Sequence, residues 1–162
     1  MLCLMNSLLD RIAGNTIIKF TNVDPALLNV DAVVEEQDTN LILDNAPVIV
    51  NTIDSFPALV RKMEQQVLEV PGNVIVKHYS PKRFYAIIYD VEETPICRET
   101  WVTKAFKNIF IYCETYKIKV LAMPLLGTSH GKLEEEKIVS ILQNVLHINR
   151  HKYLKKIFIY NK

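Results

Sequence analysis

The second half of the chain alternates short apolar segments with amphipathic ones, and this order limits the fold more than any other feature. The predicted elements are, in order, strands at 73–78 and 84–89, a helix at 94–116, a strand at 118–123, a helix at 133–149 and a strand at 155–160. Apolar strands that alternate with helices build a parallel or mixed sheet covered by helices. The sequence therefore predicts an α/β protein.

The first half of the chain is less regular, and we interpret it as part of the same domain. Residues 1–14 are predicted to form a helical N-terminal extension, because an apolar helical pattern at 2–12 ends at Gly14. The other predicted elements are strands at 15–21 and 31–36, two short apolar runs at 41–43 and 48–51, and a helix at 55–68. No linker or repeat interrupts the chain, so a single domain over 1–162 is predicted.

The segment after the predicted strand at 118–123 combines the features of a phosphate-binding loop. The chain has only four glycines, where average usage would give roughly eleven, yet Gly127 and Gly131 both lie here. Glycine lets the backbone approach a ligand closely, Thr128, Ser129 and His130 add hydrogen-bond donors, and a helix N-terminus follows. We predict that this loop binds a phosphate, and a plain strand-to-helix turn is the alternative.

This loop resembles the phosphate loop of macro domains, which bind ADP-ribose and related nucleotides. Residues 124–131 read Pro-Leu-Leu-Gly-Thr-Ser-His-Gly, where the family has Pro-x-x-Gly-Thr-Gly-x-Gly-Gly. Asp24 and the run Asp31-Ala-Val-Val34 are similar to the family's Gly-Asp-Ile-Thr and the Asp-Ala-Ile-Val that follows it. The turn at 70–74 also resembles the family's turn before its central strands. The resemblance implies a three-layer α/β/α fold with a mixed sheet of six or seven strands.

Two parts of the family pattern are replaced in this chain. After Asp-Ala-Ile-Val the family has Asn-Ala-Ala-Asn, whereas residues 35–38 here are Glu-Glu-Gln-Asp. The family's next glycine run, which wraps the pyrophosphate, corresponds here to the glycine-free stretch at 41–51. Ser129 and Lys132 also stand where the main loop of the family has glycines. The asparagines that serve catalysis in de-ADP-ribosylating members are therefore missing.

The resemblance implies a module that binds ADP-ribose or a related phosphorylated nucleotide through backbone amides and a helix dipole. Asp24 would accept a hydrogen bond from the adenine amino group, and a turn aspartate is the alternative. Tyr160 would stack near the adenine, and a core or sheet-edge aromatic is the alternative. The other predicted binding residues are those of the loop: Leu126, Gly127, Thr128, Ser129, His130 and Gly131.

Two other functions stay open on the sequence alone. Glu35, Asp38 and His130 could act as acid or base in an enzyme that hydrolyses an ADP-ribosyl or phosphate ester bond. A solvated strand end and an exposed histidine are the alternatives for these residues. The missing glycine run and the apolar segments at 41–43 and 48–50 instead favour a degenerate domain that serves as a protein-interaction or homo-oligomerisation module.

Composition restricts the partners and the compartment. The formal net charge of +1 argues against a duplex-DNA binder, which usually carries a basic face. No stretch approaches the roughly 20 apolar residues of a membrane-spanning helix, and residues 1–9 lack the basic start of a signal peptide. We therefore expect a cytoplasmic protein. Cys3, Cys97 and Cys113 are odd in number and lack zinc-site spacing, so we expect free thiols, no metal site and no cofactor.

Overall fold

The structure is a computed structural model that describes residues 10–41, 43 and 67–161. Its strands are β1 (Arg11–Ala13), β2 (Thr16–Thr21), β3 (Ala32–Asp38), β4 (Val74–Lys77), β5 (Lys82–Tyr89), β6 (Val120–Met123) and β7 (Lys156–Tyr160). They form one sheet of seven strands in the order β1-β2-β7-β6-β3-β5-β4. The predicted α/β class is confirmed, and the predicted mixed sheet of six or seven strands has seven.

The five inner strands of the sheet are parallel, and the outermost strand on each side is antiparallel to its neighbour. Strands β2, β7, β6, β3 and β5 pair in parallel with their neighbours, whereas β1 and β4 run antiparallel to theirs. The carboxyl ends of the five parallel strands therefore meet at one edge of the sheet, which we call the carboxyl edge. Ligands in open α/β sheets usually bind beyond this edge.

Two helices connect the second-half strands and pack against each other on the sheet. Helix α1 (Glu99–Thr115) links β5 to β6, and α2 (Glu135–Ile148) links β6 to β7. Each buries an apolar stripe at helical spacing. The buried residues are Val102, Ala105, Phe106, Ile109, Phe110 and Cys113 of α1 and Ile138, Val139, Leu142, Val145 and Leu146 of α2. None of the helices in the described part of the chain has the length and apolar character needed to span a bilayer.

The predicted start of α1 at residue 94 was wrong, because a turn occupies the segment before the helix. The Asp90 carboxylate accepts a hydrogen bond from the Glu92 amide at 3.1 Å, and the Asp90 amide donates to the Ile96 carbonyl at 2.9 Å. These bonds hold residues 91–96 in turns and bends, so the helix begins only at Glu99.

The prediction of a helical N-terminal extension is wrong for the residues that the structure describes there. Arg11–Ala13 form β1, in which Ile12 lies opposite Ile17 of β2. Gly14 has a φ of 62° and, with Asn15, makes a two-residue hairpin turn between Ala13 and its partner in β2. Strand pairing and the burial of Ala13 thus place residues 11–13 in a strand. Residues 1–9 lie outside the described residues.

The other first-half predictions have mixed outcomes. The strands predicted at 15–21 and 31–36 are confirmed as β2 and β3. The apolar runs at 41–43 and 48–51 and the helix at 55–68 fall largely outside the described residues. Val67 and Leu68, which are described, are not helical. The single domain over 1–162 stays a prediction.

A histidine is buried where the end of α1 meets the segment before β7. The His151 side chain is 3% exposed and lies edge-on to the Phe110 ring, with 5.2 Å between ring centroids. Among the described residues, neither ring nitrogen has a hydrogen-bond partner. Burial lowers the pKa of His151, while the Glu114 carboxylate, 4.0 Å from Nδ1, opposes that shift.

We expect His151 to make the protein less stable in mild acid. Because its pKa is lower in the folded than in the unfolded chain, the unfolded chain binds the proton first, below a pH of about 6.5. The free energy of unfolding, measured by urea denaturation from about pH 7 to about pH 5, should therefore fall less steeply in His151→Phe than in the wild type. His147→Gln, at an exposed position, should keep the wild-type dependence. Identical pH profiles for His151→Phe and the wild type would contradict this assignment.

Candidate functional site

The loop between β6 and α2, residues 124–134, lies at the carboxyl edge of the sheet and packs tightly around Cys97. Gly127 is buried and has a φ of 78°, a conformation that favours glycine. A Cβ on Gly131 would lie 2.6 Å from the Cys97 Cβ and 2.7 Å from the Gly127 carbonyl oxygen. A Cβ on Gly127 would lie 3.0 Å from the Cys97 Sγ. Both loop glycines are therefore required by packing, before any ligand is considered.

Internal hydrogen bonds hold the loop in shape. The Thr128 hydroxyl donates to the Leu125 carbonyl at 2.8 Å, and the Leu133 amide donates to the Gly127 carbonyl at 3.0 Å. Within the described part of the chain, no hydrogen bond engages the amides of Ser129 and Gly131. These two amides are therefore available to an external acceptor, as a phosphate loop requires.

A carboxylate of the chain already occupies one amide of this loop. Glu36 Oε1 accepts a hydrogen bond from the Gly127 amide at 2.8 Å, and the Glu36 residue is only 4% exposed. Sequence reasoning did not single out Glu36. The available signal was strand alternation. Ala32 and Val34 lie on the buried face of β3, and side chains two residues apart along a strand share a face. Glu36 continues that face and lies under the loop.

Two titratable groups beside Glu36, the Cys97 thiol and the Tyr89 hydroxyl, are uncharged near neutral pH. Burial, with a contribution from the Glu36 carboxylate, raises the pKa of the Cys97 thiol to about 12. Burial and the same carboxylate also raise the pKa of the Tyr89 hydroxyl. The exposed His130 ring lies edge-on to Tyr89, with 5.9 Å between ring centroids. Cys97 and Cys113 are both buried and free, as predicted, and Cys3 lies outside the described residues.

The two acids predicted as candidate catalysts have separate partners. Glu35 forms an ion pair with Arg83 on β5. The carboxylate of Asp38 accepts hydrogen bonds from the Asn40 amide at 2.6 Å and the Leu43 amide at 3.1 Å, so it organises the turn after β3. The structure does not bring these two carboxylates to one point. Among the described residues, no group of three or more His, Cys, Asp or Glu side chains could hold a metal ion.

Asp24 and Tyr160 lie at the same carboxyl edge, each with a structural partner. The exposed Asp24 accepts a hydrogen bond from the Ala26 amide at 2.8 Å and caps the short 3-10 helix Pro25–Leu27. Tyr160 is 5% exposed, and its hydroxyl donates to the Val34 carbonyl at 2.9 Å. Burial raises the pKa of Tyr160, with further contributions that include the Asp24 carboxylate. Tyr160 thus has the packing of a core aromatic, one of its two interpretations above.

Comparison with known proteins identifies the fold. No family model matches the sequence, and no curated protein matches it. The macrodomain of Thermus aquaticus DarG superposes with a TM-score of 0.63 at 19% identity, covering 90% of this chain and 98% of that chain. The Oceanobacillus iheyensis macrodomain with ADP superposes with a TM-score of 0.65 at 12% identity, covering 95% of this chain and 88% of that chain. The macro domain of ganglioside induced differentiation associated protein 2 superposes with a TM-score of 0.62 at 12% identity, covering 91% of this chain and 78% of that chain.

These likenesses, at identities of 19% and below, establish the fold. The chain has the macrodomain fold, and the α/β architecture implied by the sequence resemblance is confirmed.

We expect Gly131→Ala to lower the free energy of unfolding by about 1–3 kcal/mol, because the added methyl group overlaps the Cys97 side chain and the Gly127 carbonyl. Urea denaturation measures the change. Ser129→Ala, at an exposed position of the same loop, is the matched control and should stay within about 0.5 kcal/mol of the wild type. A Gly131→Ala variant as stable as this control would contradict the packing described for the loop.

Proposed function

We propose that this protein, which has the macrodomain fold, binds ADP-ribose or a related phosphorylated nucleotide at the carboxyl edge of its sheet. The observation that carries the proposal is the loop at 124–134, which offers the amides of Ser129 and Gly131 just before the N-terminus of α2. Such amides and the helix dipole together favour an anion. The Oceanobacillus iheyensis macrodomain, which shares the fold, was determined with ADP and, as a variant, with ADP-ribose.

In this proposal the phosphates bind at the loop and the adenine lies toward β2. The proposed binding residues are Asp24, Leu126, Gly127, Thr128, Ser129, His130, Gly131 and Tyr160. Asp24 is exposed at the end of β2 and would accept from the adenine amino group, in addition to the Ala26 amide. Tyr160 supports this end of the sheet through its bond to Val34, and stacking on adenine would require its ring to become exposed.

The geometry favours a binding module over a hydrolase. A hydrolase would need a general acid or base within hydrogen-bond reach of the bond that is broken. Glu35 is paired with Arg83, and Asp38 caps the turn that follows β3. His130 is exposed and remains a residue that can donate to a phosphate.

A degenerate domain that acts as a protein-interaction or oligomerisation module is the second candidate function. One observation favours it: the Glu36 carboxylate occupies the Gly127 amide, which a bound phosphate would otherwise use. Under this second function, no nucleotide binds with measurable affinity at millimolar concentration.

Isothermal titration calorimetry with ADP-ribose tests the first proposal against the second. We expect saturable binding, and a thermal-unfolding midpoint that rises by several degrees when ADP-ribose is at about 100 times its Kd. Asp24→Ala should weaken binding about tenfold, because the adenine amino group loses its acceptor. Glu114→Gln, which removes one negative charge at the opposite edge of the sheet, is the control and should bind as the wild type does. The absence of heat at millimolar ADP-ribose would exclude the first function.

A further inference from the structure

We propose that Glu36 is a built-in anion of the glycine loop and that it determines which phosphate-bearing ligands the loop accepts. The second half of this statement rests on the proposed function, and the first half does not. A phosphate that reaches the Gly127 amide must displace the Glu36 carboxylate, so the chain itself competes with its ligand.

The contact has the geometry of a strong hydrogen bond. Glu36 Oε1 lies 2.8 Å from the Gly127 nitrogen, and Glu36 is only 4% exposed. Hydrogen bonds between a carboxylate and a backbone amide are stronger than those between neutral groups. Inside a protein of low dielectric constant, that difference grows. The Gly127 amide is therefore satisfied without a ligand.

The loop is also held in place around this contact. Cys97 packs against both loop glycines, and the Leu133 amide closes the loop on the Gly127 carbonyl. Because these contacts prevent the loop from moving away freely, the Gly127 amide stays aimed at Glu36. Tyr89 and Cys97, whose pKa values are raised, add no negative charge of their own near neutral pH.

The sequence departs from the macro-domain pattern at this very residue. In the stretch where the family has Asn-Ala-Ala-Asn, this chain has Glu-Glu-Gln-Asp, so that Glu36 stands in place of the first alanine. An alanine side chain has no acceptor for a loop amide. The carboxylate is thus a feature that the macro-domain pattern lacks, and it provides an acceptor for the Gly127 amide from within the chain.

The consequence is selection by charge. A second anion at the Gly127 amide would meet the Glu36 carboxylate at hydrogen-bond distance, and like charges so close strongly disfavour each other. The amides of Ser129 and Gly131 have no partner within the described part of the chain, so a phosphate can bind there without displacing Glu36 from the Gly127 amide. Removing the Glu36 charge should therefore strengthen the binding of phosphate-bearing ligands and leave uncharged nucleosides unaffected.

The first experiment examines Glu36 without any nucleotide. We expect Glu36→Ala to have a lower unfolding midpoint, and sodium formate to restore part of the loss relative to sodium chloride at equal ionic strength. Formate should raise the midpoint of Glu36→Ala by several degrees more than that of the wild type. Glu35→Ala, which removes the neighbouring acid that pairs with Arg83, is the matched control and should respond as the wild type does. An equal response to formate in all three proteins would overturn the proposal that Glu36 is a built-in anion of the loop.

If Glu36→Ala does not fold, the unfolding midpoint is measured instead for Glu36→Gln, with and without inorganic pyrophosphate. The amide oxygen of this variant still accepts a hydrogen bond from Gly127. Inorganic pyrophosphate should then raise the midpoint of Glu36→Gln more than that of the wild type. An equal shift in the two proteins would overturn the proposal.

The second experiment titrates ADP-ribose and adenosine into the wild type and Glu36→Gln. We expect ADP-ribose to bind Glu36→Gln about tenfold or more tightly than the wild type, with no change for adenosine. Equal ADP-ribose affinities would overturn the selection by Glu36 while leaving the proposed function intact. If neither protein binds ADP-ribose, the proposed function fails, and the formate and pyrophosphate measurements still test the role of Glu36.

Discussion

The parallel pairing of β3 with β6 is the constraint on which the rest of the site depends. Asp31 sets its start, because one carboxylate oxygen accepts the amides of Lys119 at 2.8 Å and Val120 at 2.9 Å. Ala32 then lies opposite Leu121, and both strands run toward the same edge. A residue near the end of β3 must therefore meet the loop that follows β6. The contact between Glu36 and Gly127 is the result of this register.

The loop owes its shape to packing as much as to any ligand. Its glycines leave room for Cys97, which precedes α1, and its backbone bonds close it from within. Lys132 has a φ of 53°, in the left-handed region, at a position where the macro-domain pattern has glycine. A preformed loop loses little conformational freedom when it binds, and such preorganisation is what a small anion site needs. The same rigidity keeps Glu36 at the Gly127 amide.

The sequence was sufficient to predict the elements with a strong local signal. The helices around Phe106 and Leu142 carry apolar stripes at helical spacing, and the run Val120–Met123 is short, apolar and followed by Pro124, which favours a buried strand. The order of these elements led to the mixed sheet and, with the loop motif, to the macro-domain resemblance. The element Arg11–Ala13 was missed because three residues carry almost no periodicity. Its pairing with β2 depends on a hairpin turn at Gly14, and pairing is a tertiary property.

For the site, the pattern of strands and glycines by itself pointed to the loop with Gly127, which follows a predicted strand, whereas Asp24 and Tyr160 were indicated by the macro-domain resemblance. Only the tertiary structure decided what these residues contact. Tyr160 is buried with its hydroxyl bonded to the Val34 carbonyl, and Glu36 accepts a hydrogen bond from the Gly127 amide of the loop. The physical reason is that strand order and register are set by contacts between segments about 90 residues apart, which no local pattern encodes.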